Sequence, residues 1–319
     1  MSFQDIKGQV KAIDILKGYI AESRLAGAYL FCGAEGIGKK LAAKEVAKAL
    51  NCSSSDFLLC EGCPSCLKIE KNQHPDLHII SAEESEIKIE SIRQLQREIA
   101  FKPYEGKKKI FIIDDAHKMN KESQGALLKI LEEPPKDSVI VLITDRPKLL
   151  FKTIISRCKT VKFLPLLRQE LQEVLKKEHG LDKTQAHFLA YFSEGRLGRA
   201  LRLKDTDIMR EKNSLIDRFC IRAKPNIDDL AAMDKPEIRD CLNILASWYR
   251  DAYLLKAGLD HSEVINFDRK NELLSLVENS DFAELDEALN AITGSVLYLE
   301  KNINVKLMLH NLGAQLWRG

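Results

Sequence analysis

No stretch of the 319-residue chain approaches the ~18 consecutive apolar residues that mark a membrane helix, so no helical span is expected. The opening MSFQDIKGQV lacks a basic stretch followed by an apolar run and does not read as a secretory signal. The expectation is a cytoplasmic chain. Its eight cysteines then read as reduced thiols or metal ligands, not disulfides. Neither sign of charge is in excess: 49 Lys and Arg against 47 Asp and Glu leave a net +2. That balance argues against a general nucleic-acid coat or a polybasic membrane binder, and leaves indirect contact with DNA open. Internal repeats and low-complexity tracts are absent. With 45% hydrophobic and 30% charged residues the chain is globular in composition. Its length suggests about two domains, with three small ones possible.

Up to Pro165 strands and helices alternate. Gln9 to Ser23, Lys39 to Leu50 and Ser91 to Ala100 carry helical spacing. Ala28 to Cys32 (AYLFC), Leu77 to Ile80 (LHII), Ile110 to Ile113 (IFII) and Val139 to Ile143 (VIVLI) are short apolar runs, and Thr160 to Phe163 is a fifth candidate strand. Continuous apolar runs are the pattern of strands buried on both faces, and strands separated by helices imply a parallel sheet with helices on both sides. After Pro165 the pattern is helical. Leu167 to Lys177 and Lys183 to Phe192 flank a turn at Gly180. In the later helical region, Cys241 to Leu255 aligns Leu242, Leu245, Trp248, Tyr249, Ala252 and Leu255 on one face. The expected class is α/β plus all-α.

Gly33-Ala34-Glu35-Gly36-Ile37-Gly38-Lys39 follows a strand and opens a helix, the context of a phosphate-binding P-loop. Gly33, Gly36 and Gly38 would let backbone N–H groups close around a phosphate, and Lys39 would reach the outer phosphates. The next position normally supplies the hydroxyl that holds Mg²⁺. Here it is Lys40, and an ammonium cannot ligate a cation. A glycine-rich turn without nucleotide is the competing reading. The partner signal is Asp114 at the end of IFII, placed at the sheet's carboxyl edge to contact Mg²⁺ through water. Asp115, where a Glu would serve as base, is one methylene shorter. A pair of solvated acids is the alternative.

Cys52, Cys60, Cys63 and Cys66 form C-x7-C-x2-C-x2-C. Four soft ligands this close suit tetrahedral Zn²⁺ in a closed, structural site. A ferredoxin-type iron–sulfur run needs a further Cys where Glu70 stands. Free thiols are the remaining alternative. His74, in the tripeptide HPD, is either an extra ligand or an ordinary loop histidine. Cys32, Cys158, Cys220 and Cys241 have no metal-like spacing. Lys107 to Lys109 form a basic run before a strand, read as a solvated turn or a DNA contact. Arg157, in ISRC, could stabilise a transferring phosphoryl group through its planar fork, or could be an ordinary surface arginine.

Taken together, FQDIKGQ, AYLFCGAEGIGK, the cysteine insertion, IFIIDDAHKMN, ALLKILEEPP and ISRC resemble bacterial clamp-loader AAA+ subunits in order and spacing over residues 3–205. SEGRLGRAL, WYRDAYLLKAG and LEKNINVKLMLHNL resemble the delta-prime branch of DNA polymerase III clamp-loader proteins. The resemblance implies an AAA+ P-loop sheet domain over residues 1–165 with a zinc-binding insertion at about 51–76. It further implies a small helical lid over 166–206 and a helical oligomerisation collar over 207–319. The motor paralogues, gamma and tau, carry Thr or Ser at position 40, Glu at 115, and a lid sensor arginine that aligns with Gly198. Arg199 is one place away. Thr144 matches the first sensor of the family.

Three losses beside an intact Arg157 imply a stator that hydrolyses no ATP itself and lends an arginine finger to a neighbour. The implied partners are motor subunits (gamma/tau), a delta subunit, the sliding clamp and primed DNA through the complex, with no membrane. ATP or ADP at the degenerate P-loop is left open. The alternative is an ATP-hydrolysing motor-like subunit of the same loader, favoured by Lys39 and Asp114. That reading expects a tau-style C-terminal extension, which the present sequence does not carry.

Overall fold

The computed structural model describes residues 3–21, 25, 27–54, 60, 62–83, 85–221, 227–260, 264–299, 301 and 303–316. The chain divides into two compact units: Met1–Leu171 with Ser193–Ala200, and Gln172–Phe192 with Leu201–Gly319.

The first unit runs α1 (Val10–Ala21), β1 (Gly27–Cys32), α2 (Lys39–Asn51), α3 (Pro64–Glu70), β2 (Leu77–Ile80), α4 (Ile89–Ile99), β3 (Lys109–Ile113), α5 (Lys121–Glu132), β4 (Ser138–Thr144), α6 (Lys152–Ile155) and β5 (Lys159–Lys162). The strands form a five-stranded sheet in the order β2-β3-β4-β1-β5, with every pairing parallel. The all-apolar runs land in its centre: β3 and β4 are buried at each position. The weakest run, β5, buries only Val161 and lies at an edge.

Side chains alternate across the sheet. Tyr29 and Phe31 of β1 join Leu16 of α1 and Val46 of α2 in one apolar layer. Ala28 and Leu30 join Ile92 and Leu95 of α4 and Leu127 of α5 in the other. The helical spacing in α4 is explicit: Ile92, Leu95 and Ile99 are buried and the intervening positions are not. The sequence reading did not single out α3, α5 or α6. The start of α5 has a local cause, since the Asn120 side chain accepts the Ser123 N–H at 2.9 Å.

Helix α7 (Arg168–His179) leads from the first unit into the second, α8 (Lys183–Phe192) belongs to the second, and α9 (Leu197–Asp205) spans the boundary. Residues of the expected lid are therefore shared between the units. The second unit continues with α10 (Ile208–Ile216), a π-helical turn at Asp217–Ile221, α11 (Asp228–Ala231), α12 (Lys235–Lys256), α13 (Lys270–Asn279), α14 (Phe282–Leu299) and α15 (Val305–Leu316).

A capping box starts α12: Asp234 accepts the Glu237 N–H at 2.8 Å, and Glu237 accepts the Asp234 N–H at 3.1 Å. Of its expected face, Leu242, Leu245, Trp248 and Ala252 are buried, while Tyr249 and Leu255 are half-buried. Ile238, Cys241 and Ile244 widen the buried stripe where α12 packs on α10 and α14. Among the described residues no helix is long and apolar enough to cross a membrane.

Candidate nucleotide and metal sites

The parallel register sets Cys32 beside Thr144 and Ile113 beside Leu142, so the P-loop, Asp114 and Thr144 meet at the carboxyl edge of the sheet. The loop leaves β1 with the Gly33 N–H donating to the Thr144 carbonyl at 3.2 Å. Gly36 and Gly38 take positive φ, 78° and 96°, which side chains other than glycine rarely adopt.

Lys39 opens α2 and is 7% exposed. Its ammonium turns back on the loop, donating to the carbonyls of Gly33 at 2.5 Å and Ala34 at 2.6 Å. Burial draws its pKa down, and the carboxylates of Asp145, Asp114 and Asp115 oppose that shift.

Next to it, the Lys40 ammonium lies 2.8 Å from Asp114 Oδ2. In a working P-loop enzyme a divalent cation sits between the loop hydroxyl and this strand-end carboxylate. Here a side-chain cation occupies the carboxylate directly. Asp115 is in the left-handed region at φ 51° and pairs with Lys118 at 2.8 Å. That contact raises the Lys118 pKa. The hydroxyl of Thr144 is engaged too: it accepts the Arg146 N–H at 3.0 Å and lies 3.2 Å from His117 Nδ1. His117 is in turn 3.2 Å from Asp145.

Gly198, where the resemblance aligns a sensor arginine, has no room for a side chain. Its N–H donates to the Gly36 carbonyl at 2.7 Å, laying the first turn of α9 directly on the phosphate loop. A Cβ there would come within 2.9 Å of that oxygen and 3.0 Å of Gly36 Cα, so a side chain would push the backbone off. The following residue, Arg199, is also close, with its backbone N near Gly36.

Arg157 is not part of this constellation. It follows α6 and precedes β5, whose first residue pairs with Tyr29. It therefore belongs to the amino edge of the sheet, two residues before Lys159, which itself lies about 10–13 Å along the strand direction from the P-loop side. Its side chain is 35% exposed, donating to the Thr153 carbonyl at 3.1 Å and pairing with Glu132 at 2.9 Å. The structure thus brings together Gly33, Gly36, Gly38, Lys39 and Asp114 and leaves Arg157 outside. Sequence reasoning missed Glu132, although it lies in the LEEPP segment already singled out.

The four cysteines converge. Their Sγ atoms all lie within 4.8 Å of one another, with Cys52 to Cys63 and Cys60 to Cys66 both at 3.9 Å. Cys52 ends α2, and Cys63 caps α3 ahead of Pro64. A tetrahedron of about 2.3 Å metal–sulfur bonds has sulfur–sulfur edges of about 3.8 Å, so this set fits a single metal ion. Burial opposes ionisation of Cys63, but donors from Ser53 and Cys66 bring its thiol down to about 5. Since α2 is 13 residues long, the cluster is ~20 Å from the P-loop, toward the amino edge of the sheet where Lys107, just before β3, donates to the Cys52 carbonyl.

His74 is no ligand of that set. It is buried, its Nδ1 accepts the Asp76 N–H at 3.1 Å, and its Nε2 faces Glu105 at 3.6 Å. The neighbouring Asp76, which drew no attention in sequence, is fully buried. It accepts three backbone N–H groups, from Tyr104 at 2.7 Å, Glu105 at 2.9 Å and Gly106 at 2.7 Å.

Asn51 holds the adjoining residues, accepting the N–H groups of Lys107 and Lys108 at 2.8 and 2.9 Å. The basic run is tied into the fold. Lys107 donates to the Cys52 carbonyl at 2.8 Å, Lys108 pairs with Asp137 at 3.2 Å, and buried Lys109 donates to the Glu98 carbonyl at 2.9 Å.

A family model described as DNA polymerase III, delta subunit, matches residues 8–167, and a second, for the C terminal of that subunit, matches residues 213–316. DNA polymerase III subunit delta' of Bacillus subtilis is 36% identical over 208 residues, 65% of this chain and 63% of that protein. Subunit tau of Escherichia coli is 36% identical over 213 residues, 65% of this chain and 33% of that protein. The chain thus spans less than two thirds of the length of these relatives. A gamma subunit-related protein of Thermotoga maritima superposes with a TM-score of 0.47 at 20% identity, over 95% of this chain and 98% of that one. With one family model covering half of its length and a second covering most of the remainder after residue 212, the chain belongs to the DNA polymerase III delta-subunit family.

Proposed function

We propose that this chain is the stator of a bacterial clamp loader: a subunit that turns over no ATP and supplies Arg157 to the ATP held by an adjacent motor subunit. The observation that carries the proposal is the 2.8 Å Lys40–Asp114 ion pair. It neutralises the carboxylate that would hold Mg²⁺, while Arg157 stays at the surface with a guanidinium edge free to face a partner. Asp115 adds to this, being shorter than glutamate and paired with Lys118.

In the proposed assembly one delta subunit, three gamma/tau motors and this chain form a hetero-pentamer. Residues 207–319 act as its collar and 166–206 as a lid. Arg157 meets the charge that develops on the transferring phosphoryl group, an effect worth about 10³–10⁵ in rate in other arginine-finger systems. ATP binding by the motors holds the sliding clamp open around primed DNA, and hydrolysis releases it. This takes place in the cytoplasm. Cys52, Cys60, Cys63 and Cys66 hold a structural Zn²⁺ in this reading, which orders the insertion and takes no part in the chemistry.

Lys39, in place at the P-loop, favours the second reading, a motor-like subunit with turnover of its own. The two separate in one pair of assays. The stator reading expects no ATP hydrolysis above background by the chain alone. It expects Arg157→Ala to cut DNA-stimulated hydrolysis by the reconstituted complex while assembly is unchanged. Turnover by the isolated chain that is abolished by Lys39→Ala would establish the motor reading instead.

A further inference from the structure

Arg157 has a fixed stem and a steered tip. Its backbone N–H donates to the Ile154 carbonyl at 3.1 Å, and Ile154 beneath it is fully buried. Cys158 on its other side packs against the apolar layer of α4 and α5. The backbone at residue 157 therefore has little freedom, and the direction of the guanidinium depends on its own contacts. There are two. One Nη1 hydrogen goes to the Thr153 carbonyl at the end of α6, which also accepts the Ser156 hydroxyl at 3.1 Å. One Nη2 hydrogen goes to Glu132 Oε1 at 2.9 Å. A guanidinium has five donors, so three remain for a ligand.

Glu132 is the last residue of α5, and a carboxylate there opposes the helix dipole. Helix stability does not select an acid at that place, whereas holding Arg157 gives it a task. We propose that Glu132 is a positioning residue for the finger: it fixes the guanidinium by a hydrogen bond and leaves the remaining donors facing outward. An arginine side chain carries substantial rotamer entropy, and fixing it beforehand reduces what must be ordered when it meets the neighbour's nucleotide. This inference rests on the trans role proposed for Arg157.

Because the device is a hydrogen-bond acceptor and not a charge, the two substitutions at this position separate. In the clamp loader reconstituted with its motor and delta subunits, Glu132→Ala lowers kcat of DNA-stimulated ATP hydrolysis about two- to five-fold, the range of an exposed ion pair. KM for ATP is unchanged. Glu132→Gln, which keeps an acceptor oxygen, restores most of the rate. In the Arg157→Ala background, Glu132→Ala has no further effect. If Glu132→Ala leaves kcat unchanged or raises it while Arg157→Ala still lowers it, the positioning role is overturned and the finger stands. If Glu132→Gln is as slow as Glu132→Ala, the acceptor account fails. If Arg157→Ala itself changes nothing, the trans role fails first.

Discussion

Replacing Asp76 by asparagine isolates the contact that organises the edge of the sheet beside the cysteine cluster. In the folded chain this carboxylate is fully buried and accepts the N–H groups of Tyr104 on Oδ1 and of Glu105 and Gly106 on Oδ2. Burial alone would push its pKa up, but the three donors and His74 outweigh it and leave the pKa below the ordinary aspartate value. An amide keeps one oxygen, so it retains two of the three bonds and turns an NH₂ toward the third donor. At roughly 1.5–3 kcal/mol for a hydrogen bond to a charged group, Asp76→Asn costs about 2–3 kcal/mol at pH 7.

The pH dependence follows from the sign of the shift. The folded pKa lies below the ~3.9 of an unfolded aspartate. The contribution is therefore present in full above that value and is lost as pH falls through the folded pKa. At low pH the native carboxyl is neutral, like the amide, and the gap between wild type and variant closes. Urea unfolding followed by circular dichroism at pH 7 and at stepwise lower pH reads this gap. A loss under 0.5 kcal/mol at pH 7, or a gap that stays constant through the acid range, would refute the reasoning.

The cysteine cluster predicts about one zinc per chain by metal analysis, lost in the Cys63→Ser, Cys66→Ser double variant; metal-free protein with native stability would remove the assignment. In the second unit, Lys212 has no exposed surface, pairs with Asp268 at 2.6 Å and lies 5.2 Å from the Phe188 ring centroid. Lys212→Ala strands the Asp268 carboxylate and should cost about 3–5 kcal/mol in thermal or urea unfolding, with Asp268→Leu in the same chain recovering part of the loss. Equal losses in the single and double variants would show that packing, and not the stranded charge, set the cost.

The sequence reached what burial writes locally. Strands such as IFII and VIVLI sit in the middle of the sheet with helices on both faces, so each position is apolar and the run announces itself. The glycines of the phosphate loop and the four closely spaced cysteines were legible because their chemistry needs fixed residue types over a short span of chain. Helix α3 went unread because it is seven residues long and has a single buried side chain, Ile69. The roles of His74 and of the lysines at 107–109 depended on partners that no spacing could name.

What only the tertiary structure decided is which charge meets which. Lys40 and Asp114 are far apart in the chain and meet because β1 and β3 both end at the carboxyl edge. Glu132 and Arg157 meet because α5 and α6 pack on one apolar layer, and Lys212 finds Asp268 inside the helical unit. Local periodicity records whether a residue faces the core, because that choice is made one segment at a time. The partner of a charged group is set by how segments pack after that choice, and so the ammonium at the damaged metal position could be named from sequence while its pairing with Asp114 could not.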